Sequence, residues 1–213
     1  MTPDEFSPTF EMPTVPLKTL LVLGSVREGR MGDRVGKWMQ SELKEAGHEV
    51  ILIDPLEADL PLLKQPIHFI EKYDGPEMVP EKLTALKAKI ESADCFIFVT
   101  SEYNRTLPPA LTNFMDHFPP SLFYHRPSAI VSYSIGSQGG IAANMALRGF
   151  LCEFGCAPIP LNLAVSDVSS RVSENGDVVD DEDLKLKAKK MTEQLGWYAR
   201  ALKDAKLKKD VPC

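Results

Sequence analysis

Short apolar runs recur along this chain, and the segments between them carry apolar residues at helical spacing. The runs are residues 17–23 (LKTLLVL), 49–53 (EVILI), 95–99 (CFIFV), 128–133 (SAIVSY) and 158–165 (PIPLNLAV). They are too short for buried helices and do not alternate with polar residues, which marks strands covered on both faces. The prolines of the last run put it at a sheet edge. Between the first two runs, Val35, Trp38, Met39 and Leu43 share one helical face over 33–46, and Gly47 supplies a stop. Pro80 opens a second helix at its first position, with Leu83, Leu86 and Ile90 on one side. Further helices are expected over 106–118, 139–154 and 181–207. This β-α-β-α order predicts an α/β fold, because parallel neighbours need crossover connections that cover both sheet faces.

One domain is expected over 17–207. Residues 1–16 hold Pro3, Pro8, Pro13 and Pro16 without apolar periodicity, and read as a flexible N-terminal tail. Residues 208–213 read as a short C-terminal tail. Residues 55–80 carry Pro55, Pro61, Pro66, Pro76 and Pro80 and read as a long irregular loop of the kind that often covers a site.

The formal charge of −6 over 213 residues argues against a nucleic-acid binder, which needs a basic face. No apolar run reaches the ~18 residues of a membrane helix. The N-terminus lacks a charged start with an apolar centre, so a cytoplasmic protein with no membrane partner is expected. The cysteines fit this reading. Cys152 and Cys156 are four apart but have no second pair at ligand spacing, so no metal site is expected. None of His48, His68, His117 and His125 has triad or metal-ligand spacing.

In an open doubly wound sheet, ligands sit past the carboxyl ends of the strands, at the switch point. For the order 2-1-3-4-5 that point lies between the first and third strands, so three loops matter. After the first strand come Gly24, Ser25, Val26, Arg27, Glu28, Gly29, Arg30, Met31 and Gly32. Glycines allow close backbone approach, a helix start favours an anion, and the arginines add forked donors suited to phosphate. The segment is neither a Walker loop nor G-x-G-x-x-G, since Gly36-Lys37 is followed by Trp38 and preceded at the required distance by Met31.

After the third strand come Ser101, Glu102, Tyr103 and Asn104, an aromatic among polar groups that can border a flat heterocycle. Glu102 is also a candidate general base, with no partner identifiable. After the fourth strand come Tyr133, Ser134, Ile135, Gly136 and Ser137, a small-residue loop opening a helix. Neither Ser134 nor Ser137 sits in G-x-S-x-G, which excludes a serine-hydrolase elbow.

Together the three loops resemble those of the NADPH-dependent FMN reductases of the flavodoxin-like superfamily, which include quinone, azo-dye and chromate reductases. Gly24-Ser25-Val26-Arg27 resembles the family's phosphate-loop start. Glu102-Tyr103-Asn104 resembles its P-E-Y-N flavin loop, with Ser101 in place of the proline. Gly136 to Gly140 with Leu147-Arg148 resembles its glycine-rich loop and L-R helix. Arg30 stands where many members have serine. The resemblance covers about 17–205 and implies a flavodoxin-like, five-stranded parallel sheet of order 2-1-3-4-5 with helices on both faces.

It implies non-covalent FMN, with the phosphate in the first loop and the ring against residues 101–104 and 133–137. NADPH would pass hydride to flavin N5, and a quinone-like small acceptor would then take two electrons, so no side-chain catalyst is required. An FMN electron carrier without NAD(P)H activity is the alternative. The two arginines of the first loop favour the enzyme over a carrier, whose phosphate loop is hydroxyl-rich. The resemblance also implies a homodimer or homotetramer, with Phe114, Phe118, Phe123 and Tyr124 as candidate subunit contacts. The physiological acceptor, NADPH against NADH, and the role of the tail are not fixed by the sequence.

Overall fold

A computed structural model describes residues 15–209 and 211; the rest of the expected N-terminal tail and residues 210, 212 and 213 lie outside the described residues. The first apolar run becomes strand β1 (Lys18–Leu23), followed by helix α1 (Gly32–Glu45) and strand β2 (Glu49–Ile53). The proline-rich segment holds helix α2 (Pro55–Ala58), helix α3 (Ile67–Phe69), a π-turn at Ile70–Asp74 and a 3-10 turn at Pro76–Met78. It is therefore a chain of short turns rather than one irregular loop. Asp54 accepts from the Leu56 N–H at 2.9 Å and caps α2, with Pro55 preset at its first position.

Helix α4 (Glu81–Ser92) leads to strand β3 (Cys95–Ser101), helix α5 (Pro109–Asp116) and strand β4 (Pro127–Tyr133). Pro80 is the residue before α4 rather than its first residue, and α5 starts only at Pro109, because residues 103–106 close a tight turn instead. Helix α6 (Ile141–Glu153), strands β5 (Ala157–Pro158) and β6 (Leu163–Val165), helix α7 (Val168–Arg171) and helix α8 (Glu182–Lys208) complete the chain.

All strand pairs are parallel, in the order β2-β1-β3-β4-β5, with β6 also on β4. The sheet thus has the expected 2-1-3-4-5 order, but it is six-stranded. The single edge strand expected over 158–165 breaks in two. Pro160 has no N–H to give to β4, and the Leu161 N–H turns instead to Gln194 Oε1 at 3.0 Å. Arg148 bridges the break, donating to the Ile159 carbonyl at 3.0 Å.

Alternation along β1 builds both cores. Leu21 and Leu23 face α1 and α8, packing on Trp38, Met39, Met191 and Leu195. Leu20 and Val22 face α4, α5 and α6, packing on Leu86, Phe114 and Leu147. Phe114, Phe118 and Phe123 are fully buried in this second core, which corrects their expected role as subunit contacts; of those four aromatics Tyr124 alone is exposed. At the amino end of the sheet, buried His48 shares a hydrogen bond with Thr19 Oγ1 at 2.6 Å. Burial pushes its titration down to about 4, with the Arg200 cation acting in the same direction.

Candidate functional site

The carboxyl ends of β1, β3 and β4 open into one cleft of about 290 Å³. From the first loop, Ser25, Arg27, Glu28, Gly29, Arg30 and Met31 line it. Ser101, Glu102 and Tyr103 line it from the second loop, and Tyr133, Ser134 and Ile135 from the third. The structure therefore brings together most of the residues singled out in the sequence. Gly32 lies beneath the cleft as the first residue of α1, and a Cβ there would stand 2.7 Å from the Tyr133 hydroxyl. Asn104, Gly136 and Ser137 are exposed beside the cleft and do not line it. One participant was missed: Asp54, which closes β2, outside all three loops.

The first loop is held by hydrogen bonds from two sides. Ser25 is buried, and its hydroxyl meets the Tyr103 hydroxyl at 2.7 Å, which ties the first loop to the second. The Arg27 guanidinium lies over the Tyr103 ring, 5.3 Å from its centroid. Arg30 has different partners. Its Nη atoms grip both carboxylate oxygens of Asp54, Nη1 also donates to the Ser25 carbonyl, and Nε donates to Asp33 at 2.7 Å.

The second loop turns tightly. Tyr103 and Thr106 exchange two backbone hydrogen bonds of 3.0 Å, with Asn104 and Arg105 between them at φ 52° and 66°. Asn tolerates this left-handed backbone by local hydrogen bonding. Glu102 points to the third loop. Its Oε2 accepts from the backbone N–H groups of Ala142 and Ala143 at 3.0 and 3.3 Å. Glu102 thus caps α6 across the sheet, which accounts for its side chain without a base role.

The third loop bends through Gly139 and Gly140 at φ 60° and 71°. A side chain at Gly139 would meet the Ala164 backbone at 2.8 Å, and one at Gly140 the Tyr133 carbonyl at 2.9 Å.

Two helix starts therefore flank the cleft with different electrostatics. The α6 start already faces the Glu102 carboxylate. The α1 start has no side-chain cap from Met31, and the one first-turn carboxylate, Asp33, is paired with Arg30, so the first-turn N–H groups remain available to an anion. Two buried hydroxyls, Ser101 Oγ and Tyr133 Oη, stand at paired positions of β3 and β4, and among the described residues neither has a hydrogen-bond partner of normal geometry beyond their own mutual approach. Burial pushes the Tyr133 phenol up to about 12, so it stays a donor at neutral pH. An uncapped helix start and two orphaned hydroxyls in one cleft fit a ligand with a phosphate at one end and a polar planar group at the other. Among the described residues, no group of three His, Cys, Asp or Glu side chains converges as a metal site.

A family model described as NADPH-dependent FMN reductase matches residues 17–169, which span the sheet through β6 and all three loops. This chain belongs to that family. A quinone reductase of Pseudomonas putida is 31% identical over 146 residues, covering 66% of this chain and 73% of the relative. A 2-hydroxy-1,4-benzoquinone reductase of a Burkholderia species is 29% identical over 191 residues, covering 85% of this chain and 96% of the relative. Among solved structures, the flavoenzyme NAD(P)H:(acceptor) oxidoreductase of Paracoccus denitrificans superposes with a TM-score of 0.70. It is 20% identical, covering 85% of this chain and 97% of the other, which shows the shared fold. Membership in the FMN reductase family agrees with the oxidoreductase class, FMN cofactor and NAD(P)H donor that the resemblance implied.

Proposed function

We propose that this chain is an FMN-dependent NAD(P)H oxidoreductase that delivers two electrons to a quinone-like small acceptor. The observation that carries this reading is the uncapped α1 start opening beside Ser25 and Arg27 into the cleft at the β1–β3 switch point. The first-turn N–H groups of α1, Ser25 and Arg27 hold the phosphate. Residues 101–103 and 133–135 border the ring, and the Tyr133 and Ser101 hydroxyls offer it hydrogen bonds. Bound FMN supplies hydride acceptance from NADPH and transfer of the two electrons onward. The chain's own residues bind and orient, which agrees with Glu102 serving as a helix cap.

The test is a visible absorption spectrum of the FMN-loaded protein, repeated after adding NADPH without air. Flavin bands that bleach support the reductase. Bands that persist support an electron carrier without NAD(P)H activity. Absence of flavin after reconstitution with FMN overturns both readings.

The protein is proposed to act as a homodimer or homotetramer in the cytoplasm, with no nucleic-acid or membrane partner. Support for self-association comes from Leu56, Leu62, Phe69, Tyr73 and Met78, large apolar residues exposed along the proline-rich segment. Light scattering on a sizing column checks it, and a monomeric mass refutes it. Free thiols at Cys95, Cys152 and Cys156 support a reducing compartment. Among the described residues no helix is long and apolar enough to cross a membrane. Cell fractionation tests the location.

A further inference from the structure

Arg30 and Asp54 form a pair that binding of a cofactor phosphate does not require. Both side chains are 7% exposed. A guanidinium has five N–H donors. Here Nε goes to Asp33, Nη1 to both Asp54 Oδ1 and the Ser25 carbonyl, and Nη2 to Asp54 Oδ2. One N–H remains. Asp54 is fixed in turn, because its Oδ1 also caps α2 through the Leu56 N–H. Arg27 differs. It is exposed, rests on the Tyr103 ring, and has no carboxylate within ion-pair distance among the described residues.

The contact of Arg30 with the Ser25 carbonyl sets one peptide plane. In a trans peptide the carbonyl and the next N–H point in opposite directions. Drawing the Ser25 carbonyl toward Arg30 therefore turns the Val26 N–H away from it. The Ser25 hydroxyl is fixed independently by Tyr103. Both polar ends of Ser25 are thus set before any ligand arrives.

We propose that Arg30 is a positioning residue which shapes the phosphate loop through Ser25, that Asp54 holds Arg30 off the anion, and that Arg27 is the loop's anion-facing cation. This rests on reading the cleft as an FMN site. It gives Arg30 a role other than the phosphate contact its sequence position suggests.

The sign of one substitution decides. Asp54→Asn removes a negative charge beside an anion site and releases Arg30 while keeping the oxygen that caps α2. By Coulomb attraction alone, FMN would bind more tightly. Positioning requires the reverse: FMN Kd, read by fluorescence quenching of the apoprotein, rises about 10-fold, the size expected when a coupled pair is broken. Riboflavin, which lacks the phosphate, keeps its Kd. Arg30→Met gives the same loss, and Arg30→Met with Asp54→Asn gives no more than Arg30→Met alone.

FMN binding that is unchanged or tighter in Asp54→Asn overturns the proposal, as do losses that multiply in the double variant. Equal losses of FMN and riboflavin also overturn it, since they report a general structural role. If Asp54→Asn does not fold, Asp54→Glu keeps the charge and displaces the guanidinium, and an unaltered FMN Kd there overturns the proposal. Wild-type apoprotein that does not bind FMN overturns the cofactor reading itself, and the positioning role with it.

Discussion

The loop after β1 and the loop after β4 look alike in sequence, since both are glycine-rich and both open a helix. The structure makes them opposites. The α1 start is left uncapped, while the α6 start receives the Glu102 carboxylate from the loop between them. One junction is ready for an anion and the other is electrostatically satisfied. A glycine-rich loop before a helix is therefore not by itself an anion site; what the rest of the fold points at the helix start decides.

The glycines differ as well. Gly139 and Gly140 sit at positive φ with backbone pressed against them, whereas Gly29 has positive φ and open space around it. Gly139→Val should cost about 4 kcal/mol, combining left-handed strain with a backbone clash. Denaturant unfolding measures it, and a loss below that of Gly29→Ala would contradict the contrast.

A second break compares the two ends of the sheet. At the amino end His48 is buried with its titration at about 4 against an ordinary 6.5. A depressed value means that the unfolded chain binds the extra proton, so stability is full above about 6.5 and falls as pH drops toward 4. The expected loss is about 3 kcal/mol, and His48→Gln should flatten the slope between those pH values.

Arg27→Ala should weaken FMN binding by about 2 kcal/mol, the scale of a charge-assisted contact, seen by titration of the apoprotein. An unchanged Kd would remove Arg27 from the α1 junction. The smallest effect belongs to the other junction. Glu102→Ala should lower stability by about 1.5 kcal/mol through loss of the α6 cap, read from the thermal midpoint. No loss would mean that the two helix starts do not differ as described.

Much of this was legible in the chain. The apolar runs and the crossover helices were readable because burial on both faces leaves continuous apolar strands, and parallel pairing requires crossovers; the strand order followed from the family resemblance of the three loops. The loops were readable because glycine, arginine and serine clusters are rare inside strands and helices. The break between β5 and β6 was not read: the prolines suggested only an edge strand, and the partners that stabilise the gap, Arg148 and Gln194, come from distant helices.

The sequence by itself determined the doubly wound fold, the three loops at one sheet end and the residue types able to hold a phosphorylated flavin. Only the tertiary structure decided how those residues divide the work. Asp54 is 24 positions from Arg30 and Glu102 is 40 from Ala142, so no local pattern relates them. Side-chain hydrogen bonds across strands depend on which loop ends the sheet brings side by side, and pairing at that distance has no period in the chain.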